Sequence, residues 1–462
     1  MSSEPNAAPI DPTGPTEPID APPALTLVDS AGTGEPEEQE SPVPRWGQAK
    51  RILFRFAFVY LLLYNLPFPL DYVFLFWNVS EPYQAFWSFV VPEVGDKVFG
   101  VDTSVLPNGS GDTTYNYVQV FCFLVLALAA TAIWTYLDRR RANYARLHEW
   151  LRVYVRFALA LTMIGYGAVK VIPSQFPSPS LDRLIQPFGD ASPMGLLWTF
   201  MGASVAYEVF GGLCEMLGGL LLVFRRTTLL GALVSIGVLT NVVMLNFSYD
   251  VPVKLFSAHL LAMAAFLALP DLARLANLLV FNRRAEPAAI RPLFRRRWLH
   301  RGAMVLRVLF VFGFSGFLLY QAHQGSKQYG NLAPKPPLYG IWNVDEFVID
   351  GQVRPPLVTD ETRWRRVVFD FPKTIATQLM NDSRQRFRLA LNKNRKVLTL
   401  TKRDDPQWRS AISYRQPDPK HLALEGTFDG HKIRARLSRV DESAFLLVSR
   451  GFHWINEYPY NR

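Results

Sequence analysis

Cysteine is almost missing: Cys122 and Cys214 are the whole complement of a 462-residue chain. Each lies inside an apolar run and no C-x-x-C is present, so a redox dithiol or a thiolate metal site has no framework, and both side chains read as soft apolar filler. Also absent are a C-x-x-C-H haem attachment, a G-x-G-x-x-G after a strand and a pair of histidines in one span. No metal is expected and no cofactor has an evident cradle. The N-terminal stretch to about Arg45 has no long apolar run, is poor in aromatics and is rich in Pro, Glu, Ser, Thr and Ala. Such a composition buries too little to offset ordering, and residues 1–48 are expected to form a disordered cytoplasmic tail. That stretch lacks a basic segment followed by an apolar one, so no cleavable secretory signal is expected and the first apolar run serves as the insertion signal.

What remains is half apolar, at 49%, with a mean hydropathy of +0.08, too greasy for an ordinary soluble protein and too polar for a wholly embedded one. Residues 49–325 contain about seven apolar runs of roughly 20 residues, the length that crosses a bilayer as helix. The net charge of +10 does not point to nucleic acid, because the arginines gather in short loops beside those runs. They cluster before the first run, at Arg139, Arg140 and Arg141, at Arg225 and Arg226, and between Arg283 and Arg297. By the positive-inside rule these sides face the cytoplasm, which puts the N-terminus inside and everything after the last span outside. Membrane lipid is the expected surrounding partner. The piece Tyr83-Gln-Ala-Phe-Trp-Ser-Phe-Val-Val has the aromatic content of an interfacial helix.

The middle of this region carries ionisable groups where a span should have none: Lys170, Glu208, Glu215, Asp250, Lys254 and His259, with the polar Asn246. A charged side chain at mid-span costs roughly 2.5–3.5 kcal/mol on insertion scales. Lys170, Glu208, Glu215, Asn246 and His259 therefore form the candidate intramembrane polar site. Placed by helical rise, all fall in the outer half of the bilayer. Glu208 and Glu215 are seven apart, hence on one helix face with Glu215 deeper. Two readings stay open. One is an outward polar cavity with Glu215 at its floor. The other is a set of structural pairs, Lys170 with Glu208 or Glu215 and Asp250 with Lys254, with His259 a hydrogen-bonded packing residue.

Residues 338–462 change period. Runs such as Trp364-Arg-Arg-Val-Val-Phe and Lys432-Ile-Arg-Ala-Arg-Leu alternate apolar and polar, and Asp429-Gly430 between two of them is a tight hairpin signal. About eight or nine such strands predict a small antiparallel β-barrel or sandwich.

Two resemblances follow from short motifs. Gly167-Ala-Val-Lys170 closing one helix, followed by Glu215-Met-Leu-Gly-Gly219 in the next, resembles the DoxX family of small bacterial membrane proteins over residues 151–281, and Arg152 is similar to that family's starting arginine. The likeness implies a four-helix core in a bacterial inner membrane and, in some members, association with quinone-linked sulfur oxidation or oxidative-stress complexes. Quinone and redox-complex proteins enter as partners on that ground alone. The extra spans and the C-terminal domain depart from the minimal family. In the β domain, Gly340-Ile-Trp342 resembles the G-x-W of lipocalin-like barrels, with Arg439 or Arg450 as the late arginine packing over the Trp. The leading expectation is an accessory subunit of a quinone-linked system. The alternatives are a small-solute or proton-coupled carrier through the middle spans, and a membrane-tethered module binding an apolar ligand. Whether any reaction is catalysed stays open.

Overall fold

The computed structural model describes residues 45–70, 80–104, 108–287 and 296–461. The expected disordered tail, residues 1–48, lies almost wholly outside the described residues. The helical part comprises α1 (Gln48–Asn65), α2 (Ser80–Val94), α3 (Thr114–Leu137), α4 (Ala145–Val171), the single turn α5 (Leu181–Leu184), α6 (Pro193–Ala203), α7 (Val205–Val223), α8 (Thr228–Ser248), α9 (Lys254–Ala268), α10 (Leu272–Leu279) and α11 (Arg297–Tyr329).

Six runs among the described residues are long and apolar enough to cross a membrane: α3, α4, α7, α8, Lys254–Leu279 and Arg301–Tyr329. About seven were expected, and α1, the first of them, is not among these six. It packs against α3 and α4 like its neighbours, but Lys50, Arg51 and Arg55 fall within its 18 residues. Arg55 is only 2% exposed and is satisfied internally. Its guanidinium donates to the Tyr144 hydroxyl at 2.9 and 2.6 Å, to Thr135 Oγ1 at 2.7 Å and to the Asp138 carbonyl at 2.8 Å. A buried guanidinium needs that full set of acceptors. The aromatic piece expected at the interface is α2, and one face of it packs on the bundle: Trp87 is buried edge-on against Phe123 of α3 at 4.9 Å, while Phe86 and Phe89 are exposed.

α4 is the central helix, buried along most of its length between α7, α9 and α11. α11, by contrast, shows Leu306, Leu309 and Phe312 outward, as a lipid-facing helix would. Opposite ends of the bundle are tied by different chemistry. At the basic end the Trp46 amide donates to the Ala142 carbonyl and Arg51 to the Arg141 carbonyl. At the other end Asp112 accepts from the Lys254 and Leu255 amides at 2.7 and 2.9 Å, satisfying the exposed N-terminal donors of α9 from 142 residues away.

Nine antiparallel strands follow: β1 (Gly340–Ile349), β2 (Gln352–Val353), β3 (Trp364–Phe369), β4 (Thr374–Leu379), β5 (Arg384–Asn392), β6 (Val397–Thr401), β7 (Arg409–Asp418), β8 (His421–Phe428) and β9 (His431–Arg439). β1 pairs with both β3 and β9, so eight strands close a barrel and β2 hangs as a short ribbon on β1. The barrel is the outcome of the barrel-or-sandwich alternative. Two irregularities make the pattern work. In β1 the inward residues are Trp342 and Val344, then Phe347 and Ile349, and the parity change falls where the register slips between Val344 and Glu346. β3 repeats this between Trp364 and Val367. Each bulge moves the following side chains to the other face, which keeps the barrel interior apolar. Asp429 and Gly430 both take positive φ, 47° and 85°, in the hairpin turn between β8 and β9. Trp342, Trp364, Phe347, Phe369 and Phe387 fill the interior.

The Pro- and Ser-rich connection from α4 to α6 joins helices to barrel. Ser326 Oγ donates to the Pro173 carbonyl and the Ser178 amide to Asn331 Oδ1, holding the connection beside the end of α11. Leu181 and Ile185 pack on Ile341, Val368 and Ala376, on the outside of β1, β3 and β4. Asp182 accepts from Arg386 Nε at 3.0 Å, and Gln378 Nε2 donates to the Ile185 carbonyl. Asp370 faces the Ser180–Asp182 turn in the same cleft, and its Oδ2 has no hydrogen-bond partner among the described residues.

Burial pushes the Asp370 carboxyl up to about 6. The folded state thus holds its proton more tightly than the unfolded state, and stability should fall as pH rises from about 4 through about 6. Protection of the Leu181–Ile185 amides against exchange, corrected for intrinsic rates, should weaken over that interval by on the order of 2 kcal/mol. Asp370→Asn should flatten the dependence. An unchanged profile in the variant would remove Asp370 from the contact.

Candidate functional site

The site begins with four glycines. A Cβ on Gly167 of α4 would lie 2.6 Å from the Gly212 carbonyl oxygen of α7, and one on Gly212 would lie 2.7 Å from the Gly167 oxygen. One turn or two further along α7, a Cβ on Gly219 would meet the Ala160 oxygen at 2.8 Å, and one on Gly218 would meet Ser235 Oγ of α8 at 2.8 Å. The helices therefore touch backbone to backbone, which any larger residue at these positions would prevent.

That contact brings the charges together. Lys170 lies three residues beyond Gly167, and Glu215 three beyond Gly212, so each is one turn along from the crossing point. Helical side chains lean toward their own N-terminus, and for these antiparallel helices that turns Lys170 and Glu215 toward each other. Lys170 Nζ meets both carboxylate oxygens, at 2.9 and 2.7 Å, with side chains only 10% and 6% exposed. Of the two expected partners for Lys170, Glu215 is the one engaged.

The pair sits on the wall of a cavity of about 360 Å³. Tyr166, Trp198, Phe210 and Phe256 supply much of its apolar and aromatic surface, and Asn246 adds an amide whose Nδ2 donates to Ser257 Oγ at 3.0 Å. This is the size and character of a small-molecule site: a mainly apolar hollow with a few polar groups on one side.

The other expected members stand elsewhere. Glu208 is fully buried, but its Oε1 accepts from the Phe176 amide at 3.1 Å, and it holds the chain leaving α4 rather than lining the cavity. Its Oε2 has no partner among the described residues. His259 faces α1: Nδ1 donates to the Leu255 carbonyl at 2.6 Å, Nε2 accepts from the Tyr60 hydroxyl at 2.6 Å, and the ring stacks on Tyr64 at 3.9 Å. Its packing reading is the one the geometry carries. Asp250 and Lys254 pair at 2.8 Å with Asp250 largely exposed. In the barrel, Gly340 has φ 144° and a Cβ there would lie 3.0 Å from Arg439 Nε, while Trp342 stands opposite Arg439 in register and donates to the Leu338 carbonyl. Arg439 is thus the arginine beside the Trp. Arg450, the expected barrel-packing residue, instead covers the Tyr460 ring at 3.9 Å, because it lies past the end of β9 in the closing segment.

Trp198 and Tyr166 were not picked out from the sequence as site residues. One aromatic in an apolar helix resembles any other, and only the helix crossing shows which ones border a hollow.

The chain is similar to "Uncharacterized protein YwoB" of Bacillus subtilis (strain 168), with 30% identity over 143 residues, covering 30% of this chain and 87% of that protein. No family model matches the chain and no solved structure matches it.

Glu215→Gln or Lys170→Met alone leaves one buried charge without its partner, a loss of about 3–5 kcal/mol that should appear as a lowered melting temperature in detergent. The double variant should recover much of it. Additive losses would mean that the two groups do not depend on each other.

Proposed function

The chain belongs to the family of the uncharacterized protein YwoB of Bacillus subtilis, and from that premise we propose that it is a multi-pass membrane protein whose helical cavity receives a small apolar ligand with a polar head. The observation that carries the reading is the Lys170–Glu215 pair on the wall of the aromatic-lined hollow. Lys170 Nζ is a charged donor and Asn246 contributes an amide, so the site suits a head group bearing carbonyl or hydroxyl oxygens, with the rings of Trp198 and Phe256 against its apolar body. A quinone has that chemistry, and the DoxX resemblance adds the same ligand class. On this reading the protein is an accessory subunit of a quinone-linked redox or oxidative-stress system, binding and positioning the quinone. No covalent step is assigned to its own residues.

The orientation belongs to the same proposal. Basic loops lie at the end where α3 stops and α4 begins, and the barrel is tethered at the opposite end, beside Pro173 and Ser326. With α1 counted as a seventh crossing, the positive-inside rule puts the N-terminus in the cytoplasm and residues 338–462 on the outer side of a bacterial inner membrane.

Titrating a short-chain quinone into the detergent-solubilised protein should quench Trp198 saturably. Removing the charged donor with Lys170→Met should weaken that binding roughly ten- to a hundredfold, the value of one hydrogen bond to a charged group. Absence of saturable quenching, or unchanged affinity in Lys170→Met, would sink the ligand reading. Compartment reporters fused after Arg226 and after Arg462 should report opposite sides. The same side for both would overturn the orientation.

A further inference from the structure

The closing segment, residues 446–461, has large apolar side chains that nothing among the described residues covers: Trp454 is 91% exposed, Ile455 77% and Phe452 76%, with Tyr458 and Leu447 also open. Some of its polar groups bond to one another. Arg450 Nη2 donates to Asn456 Oδ1 at 2.6 Å and its guanidinium covers Tyr460, while Asn456 Nδ2 donates to the His453 carbonyl. Phe452 and Trp454 stand edge to face at 5.0 Å on the outside. The segment is a small loop folded around an arginine, with its aromatics presented outward, the reverse of what water favours.

Strand topology says what it faces. The chain enters the barrel from α11 at Gly340 and leaves it at Arg439, and these ends are neighbours, since Trp342 pairs with Arg439 and the Val440 amide donates to the Ile341 carbonyl. Entry and exit share one end of the barrel, the end tethered to the helices. Phe445, just before the segment, packs in the cluster of Leu181 and Ile185 on the connection from α4. The barrel interior is already filled by its own Trp and Phe side chains, so the segment is not its plug.

We infer that residues 446–460 form a membrane-surface anchor that sets Phe452, Trp454 and Ile455 into the outer interface of the lipid bilayer. Trp and Tyr favour that layer because an apolar ring and a polar edge are both satisfied there. The anchor gives the barrel an attachment to lipid besides its link to α11 and its packing on the connection from α4, and Arg450 is the residue that shapes it. This inference rests on the membrane reading of the helical part.

The test uses the full chain in nanodiscs of phosphatidylcholine, with and without acyl chains brominated near the headgroup, and takes the Trp454 signal as the difference between wild type and Trp454→Phe. That substitution replaces an exposed indole with a phenyl ring and leaves the fold intact. The Trp454 fluorescence should be quenched by lipid bromine and spared by aqueous iodide. Quenching by iodide alone overturns the anchor, and the membrane reading survives that result if the remaining tryptophans still respond to bromine. Protection from both quenchers also overturns it, because a second copy or another protein then covers the surface. If no tryptophan responds to bromine, the membrane reading itself fails along with the anchor.

Discussion

The backbone contact between Gly167 and Gly212 is the constraint on which the helical part depends. Each glycine would place a Cβ within 2.7 Å of the other's carbonyl oxygen, so no side chain fits between α4 and α7. Close approach is what allows Lys170 to reach both oxygens of Glu215. It also makes the charges tolerable in an apolar bundle, since a bidentate pair replaces two separate desolvation costs with one compensated contact. The neighbouring cavity lies beside this contact, with the large rings of Tyr166, Trp198 and Phe256 in its lining.

Several charges elsewhere in the helical part are held by other means. Arg55 is satisfied by a tyrosine, a threonine and a carbonyl; Asp112 accepts from the first amides of α9; one oxygen of Glu208 accepts from the amide of Phe176. In each case the partner comes from another element, so these groups act as long-range fasteners. The connection between α4 and α6 does the same between helices and barrel, through the cluster around Leu181 and the arginines around Asp182. The cavity and the barrel are therefore joined by one segment of chain, which leaves α4 directly after Lys170 and Val171.

Much of this was legible from residues alone where the signal is local. Apolar runs of span length, alternation of period two after Leu338, and the Asp429-Gly430 turn each state their own structure, because helix length, strand facing and positive φ are properties of a few consecutive residues. Lys170 and Glu215 stood out because charge is rare in such runs. Glu208 and His259 stood out for the same reason, yet rarity does not say which way a side chain points, and both turned to other partners. α1 reads as apolar from its leucines and phenylalanines; what satisfies Arg55 within it lies some 80 and more residues away and is not legible in the sequence.

By itself the sequence determined the class of each segment: membrane-capable helices, then strands, with a polar core in the middle. Only tertiary structure decided that Lys170 pairs with Glu215 and not Glu208, that eight strands close into a barrel through β1 and β9, and that Arg439 rather than Arg450 stands beside Trp342. The reason is physical. Local propensity and hydrophobic period depend on neighbours within a turn or two. Pairing, closure and register depend on groups tens to hundreds of residues apart, brought together by glycine contacts and bulges whose meaning appears only once the helices cross and the sheet closes.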